Sequence, residues 1–251
     1  MRHSSVLLLL TCTSISQAAL PLPPYLTPCA RSDPNFNACA LQSGKKAVAS
    51  VIKGDRKYNV PPLNPLRIKE IKVTDGGGQR VGLTLILKDA DIFGMMDSDI
   101  RKTDFDFKNQ TVSYEMFLPR AEVLGKYEVN GRILILPING NGDINITMVN
   151  SKVTYDHDFT IEPKNGNNYM VQKNPRASVF PERAYFHMTN LFNGDKTLGK
   201  QMNIFLDENW KDVFTELSPA IFTAFTEMIT TIISGIASSV PYEVAFPEKL
   251  P

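Results

Sequence analysis

Few side chains in this sequence suit acid–base, thiol or metal chemistry, and their spacing argues against all three. The histidines are His3, His157 and His187. His157 stands in Tyr155-Asp156-His157-Asp158, where a metal ligand is imaginable, although a strand histidine between exposed carboxylates is the commoner role. His187, in Tyr185-Phe186-His187-Met188, can polarise a bound carbonyl or hydrogen-bond within the fold. Asp89, Asp91, Asp97 and Asp99 are acidic but lack calcium-loop spacing, and read as solvated strand or turn positions. Asn139-Gly140-Asn141-Gly142-Asp143 could cradle an anion; a hairpin turn is the far commoner use of such residues. There is no GxSxG elbow, no HExxH, no Walker A loop and no GxGxxG. The expectation is a protein that is not an enzyme and needs neither cofactor nor metal.

The N-terminus sets the compartment in which the cysteines must be read. Arg2 and His3 precede an apolar run, Val6 to Leu10, with small residues Ser16 and Ala18 following. That is the layout of a secretory signal, and the run is far short of the roughly 20 residues of a bilayer-spanning helix. Residues 1–18 are therefore read as a signal and 19–251 as a single secreted domain. Cys12 lies in the signal, which leaves Cys29 and Cys39 as an even pair in an oxidising compartment. A bridge across so short a loop contributes roughly 3 kcal/mol. The sequons at Asn109 and Asn145 are candidate glycosylation sites. Removing Arg2 leaves 26 basic against 26 acidic residues, so no net field would recruit nucleic acid or an acidic membrane.

Asp33-Pro34 reads as a helix start and Gly54 as its stop. Strands are expected at Leu66–Thr74, Val81–Leu87, Thr111–Leu118, Arg132–Pro137, Asp143–Val149 and Lys152–Ile161. Breaks are expected at Asp75-Gly76-Gly77-Gly78, Lys108-Asn109 and Asn139 to Gly142. Alternation places Val112, Tyr114, Met116 and Leu118 on one face, Ile144, Ile146 and Met148 on another strand's matching face, and Val153, Tyr155, Phe159 and Ile161 likewise. The cover is an amphipathic helix from a capping Asp207 to about Ser239, with Leu217, Ile221, Phe225, Met228 and Ile229 on its apolar stripe and Thr223, Thr226, Thr230 and Ser234 opposite. Pro219 should bend or break it. Regular Thr and Ser spacing favours this reading over a membrane span.

These inward residues, with Phe93, Met95, Phe107, Leu134, Phe186, His187 and Met188, are the candidate ligand-binding set. Met and Phe adapt to irregular apolar shapes, though any large core needs them too. Tyr114, Tyr155 and His187 are the candidate polar contacts.

Gly125-Lys126-Tyr127-Glu128-Val129-Asn130-Gly131-Arg132, the Pro137 to Gly142 segment, Leu191-Phe192-Asn193-Gly194-Asp195 and Phe205 to Trp210 together resemble the insect takeout and juvenile-hormone-binding protein family. Asp89 to Gly94 and the ending Pro241-Tyr242 to Phe246-Pro247 agree. The resemblance implies an α+β fold: a long, curved antiparallel sheet wrapped around a long C-terminal helix, with a short N-terminal helix and an apolar tunnel, as in tubular lipid-binding proteins. It implies a carrier of a small hydrophobic ligand, terpenoid or fatty-acid-like, secreted into haemolymph or sensory fluid, with a circadian setting for takeout members. No cysteines remain for the second disulfide of moth hormone binders, which places the chain nearer takeout. Neither nucleic-acid binding nor stable membrane insertion is expected. The competing readings are a surface-acting extracellular signal and a secreted lipid-ester hydrolase.

Overall fold

The computed structural model describes residues 19–74 and 82–250. The signal, Cys12, Val81 and the Gly76-Gly77-Gly78 turn lie outside them. Helix α1 (Phe36–Val51) follows a turn in which the Asp33 carboxylate accepts the Asn35 N–H at 2.8 Å. Asp33 and Pro34 thus sit before the helix and not within its first turn. Gly54, at φ +79°, stops it as expected.

Among the described residues, seven strands form one antiparallel sheet: β1 (Leu66–Thr74), β2 (Thr84–Phe93), β3 (Asp99–Asp106), β4 (Thr111–Ile133), β5 (Leu136–Lys164), β6 (Asn167–Phe180) and β7 (Arg183–Met188). The two longest carry the rest. β4 and β5 pair along their whole length, and each half recruits different neighbours. The first half of β4 pairs with β3 and the second with β2; the first half of β5 pairs with β7 and the second with β6. Bulges interrupt the register of β2–β4, β3–β4 and β5–β6, with positive φ at Asp89 in the first and Asn174 in the last. Such insertions bend a strand and increase its twist. The sheet curls until β1 on one edge and β6 and β7 on the other all touch the same helix.

One expected strand contains a turn, and one expected break does not. Arg132–Pro137 straddles the tight β4–β5 hairpin at Leu134-Ile135. Asn139 to Gly142 is no turn but lies inside β5. Its glycines answer to crowding: a Cβ on Gly142 would stand 2.6 Å from the Thr189 carbonyl oxygen, and Gly140 takes φ +152° where it bridges Leu191. Asn165-Gly166, both at positive φ, makes the β5–β6 hairpin.

The expected long C-terminal helix is present, and a shorter helix precedes it. Asp195 caps α2 (Lys196–Glu208), accepting the N–H groups of Thr197 and Leu198 at 2.9 Å. Asp207 therefore falls in the last turn of α2, where its carboxylate accepts the Phe186 N–H and ties the helix to β7. Helix α3 (Trp210–Ala237) then runs through the trough, about 42 Å long at 1.5 Å per residue. Pro219 does not break it. The Thr215 carbonyl, which loses its helical donor to Pro219, accepts the Ser218 hydroxyl at 2.8 Å instead. A four-residue turn of helix, α4 (Tyr242–Ala245), closes the chain.

Val213, Phe214, Leu217, Phe225 and Ile229 of α3 are buried against Ile146, Met148, Val153 and their neighbours in the main core. By length and composition α3 could also cross a bilayer; here its apolar stripe faces the sheet. At its far end Gly235 lets the helix backbone rest on the Tyr58 and Asn59 carbonyls, which a Cβ would meet at 2.5 and 3.0 Å. Gly235→Ala should therefore lower the melting temperature by about 2–8 °C in thermal unfolding, despite the ordinary helical advantage of Ala of about 1 kcal/mol. An unchanged or higher value would show that the contact is not tight.

Candidate functional site

Among the described residues, apolar side chains bound two voids along α3. The larger, 210 Å³, is bounded by α1, β3, the first half of β4, the last turns of α3 and the C-terminal segment. Phe36 and Ala40 of α1, Ile100 and Phe105 of β3, Met170 of β6 and Ile232, Ile233 and Ile236 of α3 form its walls, with no charged side chain among its lining residues. The smaller, 50 Å³, lies between β1, β2, β4 and β5 and the middle of α3, lined by Ile146, Met148, Leu217, Ile221 and Phe225 with β1 and β2 residues.

The larger chamber is capped by α1, the end of β3 and the segments near both termini. Phe36, Phe105, Phe107 and Phe246 pack ring to ring, with centroids 4.8–6.2 Å apart. The Cys29–Cys39 disulfide ties the N-terminal segment to α1, and the Ser43 hydroxyl binds both the N–H and carbonyl of Thr27. Arg31 and Ser32 donate their backbone N–H groups to the Pro247 and Glu248 carbonyls. The Arg31 guanidinium lies 4.9 Å over the Tyr242 ring and 3.4 Å from Glu248. Both chain ends meet over the chamber and hold each other there.

Between the voids the helix is attached to the sheet by hydroxyls. Thr230 bonds the fully buried Tyr155 hydroxyl at 2.8 Å, Ser234 donates to the Gln172 side-chain carbonyl at 3.1 Å, and Thr226 accepts the Ala177 N–H at 2.8 Å. Thr226, Thr230 and Ser234 therefore face the sheet, not the solvent side expected of them. They recur every four residues, so they form one row on α3.

The expected ligand-binding set divides in this geometry. Tyr114 lines the larger chamber; Ile146, Met148, Leu217, Ile221 and Phe225 line the smaller. Met95, Val112, Leu118, Ile144, Tyr155, Phe186, Met188 and Ile229 are packed core, and Met116, Leu134 and Met228 pack partly buried against it. Phe107 belongs to the aromatic cap. His187 is a correction: it is exposed, because Ala184, Phe186 and Met188 take the inward positions of β7. Phe93 is another. The bulge at Asp89 shifts the parity of β2, so Ala90 and Ile92 turn inward and Phe93 is left half-buried opposite Glu122.

The residues that sequence reasoning missed are Leu22, Leu26, Phe36, Ala40, Ile100, Ile232, Ile233, Ile236 and Phe246. The α1 and α3 members show in the helical spacing of their own elements, but nothing local says that α1 meets the end of α3. A wider concavity, 620 Å³, is on the outside between β7 and α2. Its polar members are used structurally, Asn203 bonding the Met188 N–H and carbonyl and Asp207 the Phe186 N–H. Of the sequons, Asn109 is exposed in the β3–β4 turn, whereas Asn145 lies in β5 between Leu124 and His187 with Thr147 buried. Among the described residues no three His, Cys, Asp or Glu side chains group as metal ligands.

Residues 6–247 match the model of the haemolymph juvenile hormone binding protein family, and the chain belongs to that family. It is 24% identical over 231 residues to the circadian clock-controlled protein daywake of Drosophila yakuba, covering 88% of each chain. To daywake of Drosophila melanogaster it is 25% identical over 236 residues, covering 90% of this chain and 89% of that one. The crystal structure of Epiphyas postvittana Takeout 1 superposes with a TM-score of 0.78 at 26% identity, covering 88% of this chain and 99% of that one. The fold is the curved sheet around a long helix that the resemblance implied, and the family is one of ligand carriers and not of enzymes.

A histidine is sealed inside the fold. His157 is 1% exposed on the inner face of β5, beside Tyr155 and Tyr114. It is not a surface histidine between carboxylates; Asp156 and Asp158 face outward while it faces in. Its Nδ1 lies 2.9 Å from the Asp158 carbonyl and so carries the proton, leaving Nε2 without a protein partner. Burial holds the imidazole below its usual range, against the opposing pull of the Asp158 carbonyl and the nearby Asp158 and Asp156 carboxylates. A neutral buried histidine gives stability that is present above the unfolded pKa near 6.5 and is lost as pH falls through the window below it. The melting temperature should drop between pH 7.5 and pH 5, and His157→Phe should drop less. An equal drop in both proteins would assign the acid sensitivity to other groups.

Proposed function

We propose that this member of the haemolymph juvenile hormone binding protein family is a secreted carrier that takes a single hydrophobic molecule into the chamber under α1 and releases it unchanged. The observation that carries the reading is the 210 Å³ chamber with no charged lining residue, in a fold whose relatives are carriers. At about 25 cal/mol per Å², burying a few hundred Å² of apolar ligand surface gains several kcal/mol before ordering costs. Holding by burial needs no reactive group. The Cys29–Cys39 bridge suits an oxidising, extracellular setting, consistent with the N-terminal signal read from the sequence.

The ligand class is a terpenoid or a lipid of similar form. The chamber is smaller than the roughly 300–1,000 Å³ of ordinary ligand pockets, so an occupant of that size must displace flexible side chains such as Met170 or shift the aromatic cap. An elongated occupant extends along α3 toward the smaller void. Entry and exit go through the covering formed by the N-terminal segment, α1 and the C-terminal segment, since opening the sheet would break its continuous ladders.

Native mass spectrometry of protein secreted from insect cells, with organic extraction, tests the carriage. A stoichiometric lipophile lost on denaturation is expected. A bare protein that also takes up no terpenoid or fatty acid would move the reading to signalling through the surface, where the outer groove beside α2 carries the exposed Tyr185 and Ile204. Ala40→Phe, which pushes a ring into the chamber from α1, should weaken lipophile uptake at least tenfold while the melting temperature stays within a few degrees. Undiminished uptake would place the ligand elsewhere.

A further inference from the structure

The larger chamber has four hydroxyl-bearing lining residues: Thr27, Ser43, Thr103 and Tyr114. Three are accounted for. Ser43 is committed to the Thr27 backbone, Thr103 donates to the Asn37 carbonyl at 2.9 Å, and Thr27 is itself exposed on the rim. The Tyr114 hydroxyl has no protein hydrogen-bond partner among the described residues, although its neighbour Tyr155 is bonded to Thr230. The Tyr114 ring is fixed by Phe105, edge-on at 5.8 Å, by Tyr155 at 6.2 Å and by His157, stacked at 6.3 Å. A rigidly held phenol in an apolar wall, with its hydrogen-bonding capacity unspent, is built to meet a polar atom that arrives with the ligand.

We infer that Tyr114 is the polar anchor of the chamber, and that the ligand it selects is a neutral lipid ending in an ester, ketone, aldehyde or similar oxygen acceptor, not an ionised fatty acid. This rests on the carriage reading and narrows it. No Lys, Arg or His lines the chamber, so an ionised carboxylate there would lose its hydration with no counter-charge. A neutral carbonyl or ether oxygen loses much less and regains it from one donor. Burial, with a smaller push from the Tyr155 phenol, raises the Tyr114 hydroxyl well above the ordinary tyrosine range, so it remains a protonated donor at physiological pH.

The test uses the full disulfide-bonded chain, stripped of lipid, with methyl decanoate, decane and decanoate as probes at pH 8 in a fluorophore-displacement assay. Tyr114→Phe keeps the ring packing and removes only the hydroxyl. The ratio of ester to alkane affinity should fall about threefold to tenfold in the variant, with alkane affinity and melting temperature unchanged. Decanoate should bind wild type at least tenfold more weakly than the ester. An ester-to-alkane ratio that survives the substitution overturns Tyr114 as the anchor while leaving carriage intact. Decanoate binding as tightly as the ester overturns the neutral-ligand claim. If wild type takes up none of the three, the carriage reading falls, and the anchor with it.

Discussion

The structure depends on one burial problem: a single helix must satisfy the apolar inner face of a sheet that curls around it. β4 and β5 run the length of the molecule, and their inward residues, among them Val112, Leu118, Ile146, Met148 and Val153, would face water without α3. Burying a side chain of that size contributes about 1.5–3 kcal/mol, so the stripe Val213, Phe214, Leu217, Phe225 and Ile229 outweighs any local preference of the helix. That explains how Pro219 is tolerated in mid-helix. Its lost hydrogen bond is replaced by the Ser218 hydroxyl, and the packing on either side of it is preserved.

Apolar packing alone would let such a helix rotate or slide in its trough, because one aliphatic surface fits another in many ways. The row Thr226, Thr230 and Ser234 removes that freedom. Each hydroxyl meets a specific group on β5 or β6, and a buried hydroxyl moved off its partner costs about 1–3 kcal/mol. With the rotation set by these contacts, Ile232, Ile233 and Ile236 are directed into the larger chamber. The polar seam thus decides which aliphatic side chains a ligand meets, although none of the three hydroxyls lines the void.

Much of this was legible in the sequence, and the failures have a common cause. Alternation in Thr111–Leu118 and Lys152–Ile161 and the stripe of α3 are local patterns that named most inward residues, although Ile161 is exposed, His157 takes an inward place, and Thr226, Thr230 and Ser234 turn to the sheet. The Cys29–Cys39 pair needed only the even count. By contrast, Asn139 to Gly142 has turn composition, yet its glycines are there because Thr189 and Leu191 cross close by. Asp207 has a capping side chain but serves β7. His187 was named as a candidate polar contact, whereas period-two alternation with the buried Phe186 and Met188 turns it out. The chamber was least legible of all, since its walls come from α1, β3, the end of α3 and both termini, which only the folded chain brings together.

The position of the larger chamber follows from what surrounds it. Where β1, β2, β4 and β5 face α3, large aliphatic side chains interlock and leave 50 Å³. At the other end the covering helix presents small residues, Ala40, Ser43 and Gly44, opposite Ala237 and Ala245, and 210 Å³ remains. Apolar walls that do not meet forgo the packing contacts that larger side chains would make. A single Ala40→Leu or Ala237→Leu change would fill part of the void, so small residues on both sides are hard to explain by packing. They are explained if the space is occupied in the working protein, the occupant supplying the contacts that the chain withholds.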